Sequence, residues 1–234
     1  LFGYVSAALA GFLLTAIPNW TGRLPVSGIP LLALFALWLA GRLVMAAPYL
    51  AGPIVSAVAD AAFLPVVGLV AAREVIAGRN WKNLKVLVGI SALALSNIGF
   101  HAVVATGGDV ALVFRAAVSV YVLLIALVGG RIVPSFTRNF IVKSGGAGLP
   151  VPFGRFDAAA IAVLVLTLGA WTVAPAASFI GLLATVAAAL HFVRLWRWRG
   201  WLVLEEPLLA MLHISYAFIP IGVLAVGAAA AGWI

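Results

Sequence analysis

The sequence predicts an all-α fold: a polytopic bundle of about eight membrane-spanning helices, read as a single domain over 1–234. Three observations predict it. Hydrophobic residues make up 65% of the chain and charged residues 9%, where soluble domains carry roughly 25% charged residues. The mean hydropathy is +1.23, more apolar sequence than one soluble core of this size absorbs. The apolar residues also fall into stretches near the roughly 20 residues that a spanning helix needs.

Those stretches run over 1–17, 29–47, 54–78, 86–106, 110–130, 158–176, 178–196 and 207–230. Turn residues or charges separate them. Pro18-Asn19 ends the first, and Gly28 with Pro30 opens the second. Pro48 and Gly52-Pro53 divide the second from the third, and Gly107-Gly108-Asp109 turns between the fourth and fifth. The longest break is expected over 131–157, which holds Gly145-Gly146, Gly148, Pro150, Pro152 and Gly154.

The net charge of +8 is topogenic in such a chain and does not imply nucleic acid. Arg23 follows the first stretch; Arg73, Arg79, Lys82 and Lys85 flank the end of the third. Arg131, Arg138, Lys143 and Arg155 follow the fifth, and Arg194, Arg197 and Arg199 close the seventh. The connections after the second, fourth and sixth hold none. The positive-inside rule then puts the odd-numbered connections in the cytoplasm. Trp20, Trp81, Trp196, Trp198 and Trp201 fall at the same ends, where an aromatic belt is expected. The lipid bilayer is the first partner.

Cysteine is absent, which leaves histidine and carboxylate as the main metal donors. His191 and His213 lie in consecutive apolar stretches, A-A-A-L-H-F-V-R-L-W-R-W-R and E-E-P-L-L-A-M-L-H-I-S-Y. Ionisable groups at that depth need a function or a buried partner. Two imidazoles at matched depth suit a haem iron or a copper ion. The plainer reading is a hydrogen bond from each to a neighbouring helix, with the arginines topogenic. A second group is expected near the opposite face: His101 and Asn97, four residues apart on one helix face, with Arg42, Arg115 and Asp60 at similar depth. Its two arginines can clamp an anion such as a haem propionate, or the group is a structural Arg–Asp pair. Arg73-Glu74 reads as an interfacial ion pair. No phosphate loop, nucleophile elbow or paired catalytic acids stand out, so an enzyme is not the leading reading.

One internal echo suggests a four-helix repeat, 1–106 and 110–230. Pro18, Trp20 and Thr21 match Pro134, Phe136 and Thr137, and repeats are common in polytopic proteins.

The segments G-F-L-L-T-A-I-P-N-W-T-G-R (11–23) and G-G-R-I-V-P-S-F-T-R-N (129–139) resemble the signature of the NnrS family. L-W-L-A-G-R (37–42), S-N-I-G-F-H (96–101) and L-H-I-S-Y (212–216) support the resemblance, which runs through the chain in order. It implies a multi-pass protein of the bacterial inner membrane, of about a dozen helices in the family. It also implies haem and copper as cofactors; on the residue reading above, His191, His213 and His101 are the candidate metal ligands, with Arg42 and Arg115 beside the cofactor. The implied role is in the nitric oxide response or denitrification, with nitric oxide or nitrosylated metal as partner. Members usually carry a His-x-His-Glu-Met-like segment just before the position of Leu1, and further helices after Ile234. The chain is therefore expected to be a fragment lacking both ends. The alternative reading is a transporter or permease for a small solute, favoured by the repeat, the prolines and the intramembrane charges. A quinol oxidase or nitric oxide reductase relative needs more than three histidines.

Overall fold

The computed structural model describes residues 1–233, and among them there is no strand. The helices are α1 (Tyr4–Thr21), α2 (Ile29–Ala46), α3 (Pro48–Ala51), α4 (Pro53–Ala61), α5 (Phe63–Ala77), α6 (Leu84–Ala105), α7 (Ala111–Lys143), α8 (Arg155–Val173), α9 (Phe179–Arg197) and α10 (Pro207–Ala230). Short 3-10 turns at Trp81–Asn83 and Gly200–Val203 lead into α6 and α10. Prolines open α2, α3, α4 and α10 within their first two positions, where the missing N–H has no intrahelical partner to lose. At the end of α1, Gly22 adopts a left-handed φ of 69° and its N–H bonds the Pro18 carbonyl, closing the helix.

Seven rods among the described residues are long and apolar enough to cross a bilayer, beginning with Ile29–Ala46 and ending with Pro207–Ala230. This is a multi-pass membrane architecture, close to the eight spans expected. The first stretch forms α1 as expected but is not one of the seven. Ser6, Thr15, Asn19 and Thr21 dilute its apolar residues. Leu32, Phe35, Leu43, Leu69, Leu182 and Phe218 are among many large apolar side chains left exposed. Surface of that kind is stable against lipid tails and not against water.

Two boundaries differ from the sequence reading. The third stretch is divided at Ala62 into α4 and α5. Pro65 brings no N–H, so the Ala61 carbonyl loses its helical partner there. The ladder resumes at once through Val66 N–H to Ala62 O, and Pro53–Ala77 still acts as one span. The fifth stretch does not end at 130. α7 continues for 33 residues through Pro134 to Lys143, so the break shortens to 144–154. A proline removes one backbone bond but its φ is helical. At 1.5 Å per residue α7 is about 50 Å long, well beyond the roughly 30 Å hydrocarbon core.

The chain forms two compact units, 1–117 and 118–234. In the first, α5 packs on α1 and α6, and α4 on α2 and α6. Gly41 lets α2 approach α4 closely: a Cβ there would meet the Ala59 carbonyl at 3.1 Å. In the second, α9 lies against both α8 and α10. Ala126, Val133, Leu164, Ala188, Trp198 and Tyr216 belong to its core. Small residues set that spacing, as membrane helices without a hydrophobic drive toward one another require. A Cβ on Gly227 of α10 would lie 2.8 Å from Ala184 Cβ of α9.

Candidate functional site

Each unit holds a buried polar cluster around one charged residue. In the first unit it centres on Asp60 of α4, whose side chain is 4% exposed. Arg42 of α2 forms an ion pair with Asp60 Oδ1. His101 Nε2 of α6 lies 2.9 Å from Asp60 Oδ2. One turn away, Asn97 Nδ2 donates to the Asp60 carbonyl at 3.3 Å. The Phe100 ring packs edge-on to His101 at 5.2 Å. The first residues of the chain close the cluster. Trp38 Nε1 donates to the Gly3 carbonyl at 3.0 Å, and the Arg42 guanidinium occupies the space where a Gly3 side chain would stand. Arg42, Asp60, Asn97 and His101 thus converge. Arg115 is half-buried near the start of α7.

In the second unit the centre is Arg194 of α9, whose side chain is fully buried. Its Nε donates to Asp157 Oδ1 at 3.0 Å, its Nη1 to the Ala126 carbonyl at 3.2 Å and to the Tyr216 hydroxyl at 2.6 Å. Tyr216 OH in turn lies 2.9 Å from His191 Nδ1. Asp157 Oδ2 accepts from the Gly154 N–H at 3.1 Å, capping α8. Arg197 adds a longer contact to Asp157 at 3.4 Å and lies over the Phe156 ring. His213 is bonded elsewhere: its Nε2 lies 2.9 Å from Thr137 Oγ1 of α7. The Trp198 ring stands 4.5 Å from Tyr216 and 6.4 Å from His213. The two histidines of this unit therefore each have their own partner, as the plainer reading expects. Arg194 differs from the sequence reading, which left it at the membrane surface, and so does Trp198, which at 1% exposure is a core residue and not part of a belt.

The G-G-R-I-V-P-S-F-T motif is the mould for this second cluster. A Cβ on Gly129 would press on the Tyr216 ring at 3.1 Å, and one on Gly130 would overlap the Arg194 guanidinium. Thr137 Oγ1 donates to the Val133 carbonyl at 2.8 Å and also meets His213. The counterpart in α1 repeats one local device: Thr21 Oγ1 donates to the Ile17 carbonyl at 2.8 Å. In each case the threonine three residues past the proline bonds the carbonyl just before it.

Counting donors assigns the imidazole tautomers. Arg194 can only donate to the Tyr216 oxygen, and both groups are satisfied when the hydroxyl gives its own hydrogen to His191 Nδ1. The His191 proton is then on Nε2, which is buried without a hydrogen-bond partner. The Thr137 hydrogen goes to Val133, so His213 donates from Nε2 and keeps a lone pair on Nδ1. That Nδ1 is buried and unpartnered. Asp60 only accepts in its ionised form, so His101 also donates from Nε2 and presents Nδ1. The Nε2 atoms of His101 and His213 are thus bonded to protein groups, whereas His191 is bonded through Nδ1 and its Nε2 is buried without a partner. Nδ1 stands beside the ring carbon that bears Cβ, which crowds a porphyrin face but not a small ion. His213 Nε2 is taken by Thr137 while His191 is held through Tyr216, so the two histidines do not present paired Nε2 atoms to one haem iron. The arrangement leaves an imidazole nitrogen for copper at His101, backed by a carboxylate as metal-bound histidines usually are. Among the described residues no three His, Cys, Asp or Glu side chains converge as a metal-ligand group.

Sequence reasoning missed Asp157, Tyr216 and the role of Thr137. Tyr216 had a signal, since it lies three residues after His213 on the same stretch. Asp157 had little, because it sits 37 residues from Arg194 beside Arg155 at a helix start, where an acidic residue needs no other reason. The Arg73–Glu74 pair is present at 3.5 Å, but Arg23 binds the same carboxylate more closely, at 2.5 Å.

No curated protein and no solved structure matches the chain. The family model described as NnrS protein matches residues 1–234, the whole length over which the glycine, proline and threonine motifs build these two clusters. The chain belongs to the NnrS family.

Proposed function

We propose that this chain is a copper-binding protein of the bacterial inner membrane that acts in the nitric oxide response, with His101 as a metal ligand. The observation that carries the reading is the Asp60–His101 bond of 2.9 Å. A carboxylate on Nε2–H fixes the tautomer, aims Nδ1 and raises its basicity, the usual second-shell device at metal sites. Arg42 neutralises Asp60, so the pair carries no net negative charge into the membrane. Copper, when bound, supplies the affinity for nitric oxide; the chain's part is to hold and orient the imidazole. One imidazole is not a full ligand shell.

The test is metal content in the protein, purified from membranes and measured by mass spectrometry. His101→Ala should lose most of its copper. Arg42→Ala should weaken retention without abolishing it, because a guanidinium is not a ligand. Unchanged copper in His101→Ala would reduce the cluster to a structural charge network.

A further inference from the structure

A cleft of about 420 Å³ lies beside α9 and α10, at the end of α9 that bears Arg194 and Arg197. Phe192, Trp196, Trp201 and Ile214 line it, and all four are exposed on the outer surface of this unit. The Trp196 and Trp201 rings are 4.6 Å apart. The floor is different. His213 reaches it from the interior at 7% exposure, and Nδ1 is without a partner. Thr137 holds the ring proton on Nε2, so Nδ1 is a fixed acceptor. Gly200 guards the approach: a Cβ there would come within 2.6 Å of that nitrogen.

An occupant arriving from lipid must be apolar over most of its surface. It must offer a flat ring to the tryptophans and one hydrogen to an acceptor that membrane hydrocarbon leaves unsatisfied. We propose that this cleft binds the head group of a lipid-soluble quinol, its hydroxyl donating to His213 Nδ1 and its tail lying along Phe192 and Ile214. A phospholipid acyl chain fits the same walls but donates nothing. A quinone presents only carbonyl acceptors, which set lone pair against lone pair at Nδ1. The cleft is therefore selective for the reduced form.

The test uses the full chain in phosphatidylcholine nanodiscs, titrated with decylubiquinol and with decylubiquinone, with empty discs measuring partition. Saturable uptake of the quinol above partition is expected. The quinone should bind about tenfold more weakly, the worth of one hydrogen bond. Gly200→Ala plugs the approach to Nδ1 and Ile214→Trp fills the cleft. Each should lower quinol affinity by about tenfold or more, with thermal unfolding confirming that the variant is folded. Three results would overturn the proposal. One is quinol uptake no greater than in empty discs. Another is equal affinity for the two forms, the mark of a groove for acyl chains. The third is unaltered quinol binding in both folded variants. The comparison of quinol with quinone needs no variant and stands if either substitution prevents folding.

Discussion

At Arg194 the burial is complete, and the energetics follow from what surrounds it. A guanidinium with no exposure is costly unless its donors are matched; Asp157, Ala126 and Tyr216 receive the Nε and Nη1 hydrogens, while Nη2 is left without a partner. Removing one member of a buried ion pair typically costs about 3–5 kcal/mol, because the other charge stays behind. Asp157→Asn should therefore lower stability by an amount in that range, and joint replacement of Asp157 and Arg194 by leucine should recover much of the loss. Denaturant unfolding of the detergent-solubilised protein checks both. Tyr216→Phe is milder. It leaves His191 Nδ1 and one guanidinium hydrogen unpaired and should cost about 1–3 kcal/mol. At this scale the sequence announced which residues matter through their cost in a bilayer, and His101, Arg42 and Asp60 do meet. It did not announce pairings. His191 and His213 share a depth, yet Tyr216 and Thr137, neither of them charged, decide where their nitrogens turn.

Among the elements, α7 shows how a motif acts through shape. Gly129, Gly130, Pro134 and Thr137 fall along one helix, and each is explained by a side chain that it receives, a bond it lacks or a bond it makes. The prediction is a contrast between glycines. Gly130→Ala drives a methyl into the Arg194 guanidinium and should cost about 1–3 kcal/mol as overpacking. Gly11→Ala meets nothing within 4 Å and should be neutral or slightly stabilising, since alanine is the better helix former by about 1 kcal/mol. Unfolding midpoints of the two variants decide it. Helix positions were legible from apolar periods and turn residues, and most boundaries fall within a few residues. The end of α7 was not, because Arg131 and Pro134 look like a terminus in a sequence. In the structure the helix runs on beyond the length a bilayer core accommodates.

For the whole molecule, the distribution of basic residues makes a claim that helix geometry alone does not. Twelve of the fourteen lysines and arginines lie at the ends read as cytoplasmic, and Arg42 and Arg115 are the exceptions. α7 connects Asp109 to Lys143 as one continuous rod after Ala111. Reporter fusions placed after Asp109 and after Lys143 should therefore report opposite sides of the membrane, the latter cytoplasmic. The same location for both would sink the assignment. The spanning architecture was legible at this scale because a bilayer demands long apolar stretches and leaves few other ways to build. The division at 117/118 inside α7 was not, since nothing in an uninterrupted apolar helix marks where its packing partners change.

The two ion pairs have a bearing on how the chain enters the membrane. Arg42 and Asp60 lie on consecutive spans, and so do Asp157 and Arg194. Each pair joins the two legs of one helical hairpin. A lone charge within a span is costly, by about 2.5 kcal/mol or more at the bilayer centre and less toward the helix ends, so a leg entering alone carries its share of that burden unrelieved. Two legs partitioning together carry a neutral pair. Replacing one partner of a pair by leucine is therefore expected to leave the other charge unrelieved and to lower membrane insertion of that hairpin, which an insertion assay on the isolated hairpin reads before any folded protein exists to be destabilised.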